Sequence, residues 1–179
     1  MTTNHKIIFT GPVGAGKTTA ISSISEINPI TTDEMASDMA RNRKPKTTVA
    51  MDYGQISLGA NAKVHLYGTP GQERFDFMWE ILTKGGIGLI LLLDNTRPTP
   101  FKDMKFYIDS FRNFIEQTRL VIGVTQMDIK QSPTIDEYAT QLGTLALQAP
   151  VFEVDARRKE DVSALVEALL LTLDPGIRE

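Results

Sequence analysis

The chain has 179 residues, enough for one domain with a proper core, a formal net charge of −3 and no cysteine. This balance argues against general nucleic-acid or polyanion binding, and the missing thiols exclude disulfides, thiolate catalysis and cysteine–zinc sites. The two histidines, His5 and His65, fall in different elements without metal-ligand spacing.

From the N-terminus, residues 6–10 read as a short apolar strand, followed by a glycine-rich turn and a helix starting at Gly16. Ile21, Ile24 and Ile27 mark the inner face of that helix, and Pro29 is expected to end it. Gly11, Gly16, Lys17 and Thr18 fit the phosphate-binding pattern G-x-x-x-x-G-K-S/T without a mismatch. Glycines let the backbone close round a polyphosphate, so that several N–H groups point at one anion. Lys17 adds charge at the outer phosphates, Thr18 offers Mg²⁺ a hard oxygen, and the helix presents its positive end. Val13, Gly14, Ala15, Gly16, Lys17, Thr18 and Thr19 are the candidate phosphate-side contacts.

A polar stretch follows, in which Thr31 and Glu34 have capping-box spacing for a short helix over residues 33–40. Arg41, Arg43, Lys44 and Lys46 form a basic cluster. Residues 49–58 and 62–67 read as two strands, and the short Gly59-Ala-Asn61 connection implies an antiparallel hairpin. Gly68-Thr-Pro-Gly71 is a punctuated loop before an aromatic-rich helix over about 74–83, in which Phe75, Met78, Trp79 and Leu82 read as core, and Phe77 and Ile81 as exposed. Residues 87–93 and 120–124 are nearly all apolar, as expected for strands buried on both faces. Phe101, Met104, Ile108, Phe111 and Ile115 mark one helix between them, and Ser132-Pro133 looks like the N-cap and first turn of the next. A last strand over 151–154 precedes a closing helix lined by Val162, Leu165, Val166, Leu169 and Leu173. The alternation predicts a three-layer α/β fold, residues 1–179 as one domain, with a mixed, mostly parallel six-stranded sheet.

The phosphate loop, Thr48-Val-Ala-Met-Asp-Tyr53 and Gly71-Gln72-Glu73-Arg74-Phe75 together resemble the Ras-like small GTPases of the P-loop superfamily, in family order over nearly the whole chain. The resemblance implies a first switch over about 30–48 and a second over about 68–84. By it, Thr18 and Thr48 would hold the metal and Gly71 would touch the γ-phosphate. Lys17 and Gln72 would be the catalytic residues, Gln72 orienting the attacking water. Thr125-Gln126-Met127-Asp128 stands where the family reads the base with Asn-Lys-x-Asp, so only the acid matches. A carboxylate can accept from guanine's N1 and N2 donors together, and adenine offers no such pair. Ala156 and Arg157 stand where the family has Ala-Lys of its Ser-Ala-Lys motif, the Ala156 N–H serving guanine O6.

Two departures imply slow unaided hydrolysis: Gly68 replaces the acid of Asp-x-x-Gly, and Val13 replaces a glycine beside the transferring phosphoryl group. Asp52 is a candidate substitute for the missing acid, because strand alternation puts it on the Thr48 side. Arg41 or Arg43 is a candidate internal arginine finger. The run Thr-Pro-Gly-Gln, with Thr47-Thr-Val-Ala-Met-Asp-Tyr-Gly54 and Phe77-Met-Trp79, is similar to bacterial GTPases of the MglA type and closer still to those of conservon operons. That likeness implies a GTP-dependent switch with Mg²⁺ as cofactor and GTP or GDP as bound nucleotide. A roadblock/LC7-type regulator and a protein effector are the implied partners, with a transient dimer allowed. Residue two is Thr and the end carries no prenylation cysteine, so no lipid anchor is expected and the cytoplasm is the default. Two other readings stay open: an ATPase using Asp94, at the end of the apolar run 89–93, as its Walker-B acid, and a nucleotide-binding scaffold without useful turnover.

Overall fold

The computed structural model describes residues 1–31, 51–70 and 76–173, the side chains of residues 31, 76 and 77 excepted. The elements run β1 (Thr3–Thr10), α1 (Lys17–Ile24), β2 (Ile30–Thr31), β3 (Asp52–Leu58), β4 (Ala62–Gly68), α2 (Asp76–Thr83), β5 (Gly88–Asp94), α3 (Pro100–Ser110), α4 (Arg112–Gln117), β6 (Leu120–Thr125), α5 (Ile135–Thr144), β7 (Val151–Glu153) and α6 (Lys159–Leu173). They form one sheet in the order β2-β3-β4-β1-β5-β6-β7. β1 pairs in parallel with β4 and β5, and β6 in parallel with β5 and β7. The β3–β4 hairpin and the β2–β3 pair are antiparallel. The α/β fold with a mixed, mostly parallel sheet is therefore as expected. The six expected strands are joined by a seventh, the two-residue β2, which holds by pairing with Asp52 and Tyr53 rather than by any pattern of its own.

Side-chain alternation along the central strands builds two cores. Ile7, Phe9, Ile90, Leu92 and Val121 face α1 and α6, where Ala20, Ile21, Val162, Leu165 and Leu169 close over them. Ile8, Leu89, Leu91, Ile122 and Val124 face the other way, against Trp79, Met104, Ile108, Phe111 and Tyr138. All seven residues of β5 are buried, which explains its unbroken apolar sequence. On α2, Trp79 and Leu82 are buried and Ile81 is 57 % exposed, as the pattern predicts, whereas Met78, expected in the core, is only partly buried. Phe75 and the Phe77 side chain lie outside the described residues, as do residues 33–40 and the basic cluster.

Three boundaries differ from the sequence reading. α1 stops at Ile24, well before Pro29, and Ser25 turns extended with φ −63° and ψ 132°. The Ser25 hydroxyl accepts from the Gln55 N–H of β3 at 3.1 Å, so a neighbouring strand ends the helix, and Ile27 falls outside it. The helix expected over residues 101–115 is divided at Phe111, whose backbone (φ −105°, ψ 12°) leaves helical geometry. α5 begins at Ile135, not at Pro133. Thr134 is its N-cap, accepting from the Glu137 N–H at 3.3 Å while its own N–H donates to Glu137 Oε2 at 2.7 Å. That reciprocal pair satisfies two donors where Ser132 could satisfy one.

Among the described residues no helix is long and apolar enough to cross a membrane.

Candidate nucleotide-binding site

β1 lies between β4 and β5, and the chain leaves it toward one side of the sheet before returning on the other. Ligands of open α/β sheets bind at such a reversal, beyond the carboxyl ends of the strands. The phosphate loop stands there, between β1 and α1. Its glycines are demanded by geometry. Gly11 has φ +145°, and a Cβ on it would lie 2.0 Å from the Leu92 carbonyl oxygen. Gly16, the N-cap of α1, has φ +101°, and a Cβ there would lie 2.9 Å from Cβ of Ala156. The loop thus packs directly on the turn after β7, which requires a small residue on each side.

Lys17 is only 8 % exposed. Its Nζ donates to the Gly11 and Pro12 carbonyls at 2.7 and 2.9 Å, folded back into the loop. Burial pulls its pKa down to about 8, the Asp52 charge raising it and the Arg97 charge lowering it by lesser amounts. Val13 is 57 % exposed at the loop tip.

The Thr18 hydroxyl donates to Asp52 Oδ2 at 2.6 Å. A hydroxyl and a carboxylate are hard oxygen donors of the kind Mg²⁺ takes, so the residues present fit that cation. Among the described residues no group of three or more His, Cys, Asp and Glu could hold a metal ion. Thr48, Gly71 and Gln72 lie outside the described residues, as do Arg41 and Arg43. Asp94 is engaged in its own turn: its Oδ1 accepts from the Thr96 N–H at 2.8 Å and the Thr96 hydroxyl at 2.6 Å.

On the other side of the loop a cleft of about 280 Å³ is lined by Gly14, Ala15, Gly16 and Thr19 from the phosphate side. Thr125, Gln126, Asp128, Ala156 and Arg157 line it from the β6 and β7 ends. Every one of these was singled out from sequence. Asp128 is exposed at the cleft, in a turn where the Ile129 and Lys130 N–H groups both donate to the Gln126 carbonyl at 3.2 Å. Gln126 itself takes a positive φ of 61°.

The residues that depart from Asn-Lys-x-Asp still tie the two loops together. The buried Thr125 hydroxyl reaches the Ala15 carbonyl at 3.0 Å and the Leu93 carbonyl at 3.2 Å. Gln126 Nε2 donates to the Gly14 carbonyl at 3.3 Å. Replacing Thr125 by valine keeps the shape and removes the one buried O–H donor shared between those carbonyls, at a cost of about 1–3 kcal/mol. We expect a melting temperature lower by several degrees, at ~2–4 °C per kcal/mol for a chain this size, read by thermal melting.

Sequence reasoning missed Ile129 and Val154, and gave no role to Asp155, which stands where the family has the serine of Ser-Ala-Lys; all three also line the cleft. Asp155 anchors the rim: it accepts from the Arg157 N–H and Nε, each at 2.9 Å, and from Nη2 at 2.7 Å. These bonds hold its carboxyl down to about 2. Its own N–H donates to Asp161 Oδ2 at 2.8 Å, in the first turn of α6. An exposed isoleucine in an otherwise polar turn was the available signal for Ile129.

The family described as "conserved hypothetical ATP binding protein" matches residues 28–176, a span that begins after the phosphate loop. Ras-related protein RABA6a of Arabidopsis thaliana is 27% identical over 176 residues, covering 97% of this chain and 70% of that protein. Uncharacterized protein MJ1339 of Methanocaldococcus jannaschii is 33% identical over 135 residues, 74% of this chain and 77% of that one. Ras-related protein Rab-11C of Dictyostelium discoideum is 24% identical over 169 residues, covering 92% and 70%. With its phosphate loop at the sheet's reversal and a cleft beside it, the chain belongs to that ATP-binding protein family and, with its Rab-named relatives, to the P-loop GTPase superfamily.

Proposed function

We propose that the chain is a guanine-nucleotide switch that hydrolyses GTP to GDP slowly on its own and faster with a partner. The observation that carries this reading is the single cleft in which the phosphate loop, the carboxylate at 128 and the turn at Ala156 meet. Lys17 holds phosphate oxygens, its ammonium having a third N–H beyond the two given to the loop carbonyls. Asp128 accepts from the two edge donors of guanine, and the Ala156 N–H donates to the ring oxygen. Thr18, with Thr48, would hold Mg²⁺, which when bound neutralises charge on the phosphates. Gln72 orients the attacking water, a positioning role in a reaction that is mostly positioning and electrostatics. The motifs quoted from the sequence resemble those of the bacterial MglA and conservon-operon type. On that likeness its regulator is a roadblock/LC7-fold protein, its output passes to a protein effector, and its compartment is the cytoplasm.

A second reading, adenine-nucleotide hydrolysis, is favoured by the description of the matching family. Identifying the nucleotide that copurifies, followed by competition against a fluorescent GDP, separates the two. Two charge-assisted hydrogen bonds at ~1.5–3 kcal/mol each give guanine an advantage of at least about a hundredfold over adenine. GTP and GDP are therefore expected to displace the probe at concentrations where ATP does not. Tighter binding of ATP overturns the guanine reading. Absence of phosphate release, with or without partner, leaves a nucleotide-dependent scaffold. Trp79, the chain's one tryptophan, is stacked on Phe111 with centroids 5.0 Å apart and reports whether α2 moves between GDP and a GTP analogue.

A further inference from the structure

β3 and β4 are antiparallel, and their register sets Asp52 directly opposite Gly68. The two positions therefore share a face of the sheet, the one toward α1, since a Cβ on Gly68 would also meet Cδ1 of Ile21 at 3.1 Å. That same Cβ would lie 3.1 Å from both Cβ and Oδ2 of Asp52. The side chain of 52 thus extends into the room that a side chain at 68 would need. From there its carboxylate accepts a hydrogen bond from the Thr18 hydroxyl at 2.6 Å. Thr18 follows the phosphate-loop lysine, in the first turn of α1.

We propose that Asp52 is the acid of the magnesium site, its carboxylate carried across the β3–β4 pair to do what an acid at position 68 would do. The chemistry follows from the hydrogen bond. A hydroxyl that donates its proton to a carboxylate turns its oxygen lone pairs outward and becomes a better ligand for a hard cation. Outer partners of this kind fix the orientation of the ligand they hold and raise its basicity. Asp52 also places a negative charge near Lys17, where it favours the charged ammonium that phosphates require. The absence of a side chain at 68 is then a packing condition: with both acids present, two carboxylates would crowd one space and repel.

The proposal rests on the nucleotide reading above, and its test separates the two. Dissociation of N-methylanthraniloyl-GDP is followed across a buffered magnesium series, from EDTA to millimolar Mg²⁺, for the unaltered chain, Asp52→Asn and the exchanged pair Asp52→Gly with Gly68→Asp. Magnesium should slow release from the unaltered chain. Asp52→Asn is expected to raise the magnesium concentration at half effect by about 10–100-fold, the usual loss on removing such a partner. The exchanged pair should return the midpoint toward the original value. Should that pair fail to fold, Asp52→Glu, which keeps the acid one methylene further out, serves as the rescue. An unshifted midpoint in Asp52→Asn overturns the proposal, as does a rate change equal with and without magnesium, which marks a merely structural bond. A chain that binds no guanine nucleotide in any of these buffers fails the nucleotide reading itself.

Discussion

With Asp128 replaced by alanine, GTP and inosine triphosphate are expected to bind equally well, both far more weakly than GTP binds the unaltered chain. Inosine lacks only the 2-amino group of guanine, so the pair of nucleotides isolates one hydrogen bond to the carboxylate. A bond to a charged acceptor contributes ~1.5–3 kcal/mol, about ten- to a hundredfold in affinity, and that is the expected preference of the intact chain for GTP over its inosine analogue. Removing the carboxylate removes the preference, and overall GTP affinity falls by about a hundredfold or more as both bonds are lost. Asp128 sits exposed in a turn that is closed by backbone bonds to Gln126, so the substitution leaves the fold standing. The ratio of the two dissociation constants, measured by competition, is the test. A ratio near one in the unaltered chain would show that position 128 does not read the base.

That Thr125, Gln126 and Asp128 could be singled out as cleft residues, despite two departures from the familiar motif, has a physical reason. On the proposed reading a carboxylate at 128 does a job that no other side chain there can do, whereas the tethering residues before it have substitutes. Thr125 and Gln126 hold the phosphate loop through a hydroxyl and an amide, and any short donor of similar reach would serve. The strands were legible because burial on both faces writes an unbroken apolar run, as in β5. Features set by partners distant in sequence were not. The end of α1 depends on Gln55, thirty positions on, capturing the Ser25 hydroxyl, and β2 exists only against Asp52 and Tyr53. The start of α5 was decided between two plausible caps two residues apart, and the one with a reciprocal carboxylate won. Asp52 is the instructive middle case. Alternation alone gave its side of the strand, but only the register opposite Gly68 and the bond to Thr18 gave it a task.

Raising the pH above 8 is expected to weaken nucleotide binding and, over the same interval, to stabilise the nucleotide-free protein. Both effects come from Lys17. Its pKa is lowered to about 8 by burial, against an ordinary 10.5 in the unfolded chain. Between these two values the unfolded chain binds more protons at this site than the folded one, so stability rises with pH, by an amount on the order of 3 kcal/mol when the interval is complete. Below pH 8 the lysine is charged in both states, and the cost of burying that charge in the folded one is fully present. The useful window closes near pH 10, because the buried Tyr138 hydroxyl, whose pKa burial raises, then begins to pull the other way. Binding has the opposite slope. A polyphosphate needs the ammonium, and its negative charge raises the lysine pKa, so nucleotide uptake above pH 8 must be accompanied by proton uptake, and affinity falls by up to about tenfold per pH unit. Dissociation constants for GDP from pH 6.5 to 9.5, with melts of the empty protein over the same range, read both slopes. With Lys17→Met the binding slope should disappear, since among the described residues no other lysine or arginine stands in the phosphate loop. A persistent slope in the variant would assign the titration elsewhere, and the lysine folded back onto Gly11 and Pro12 would then be a structural clasp rather than the phosphate's counter-charge.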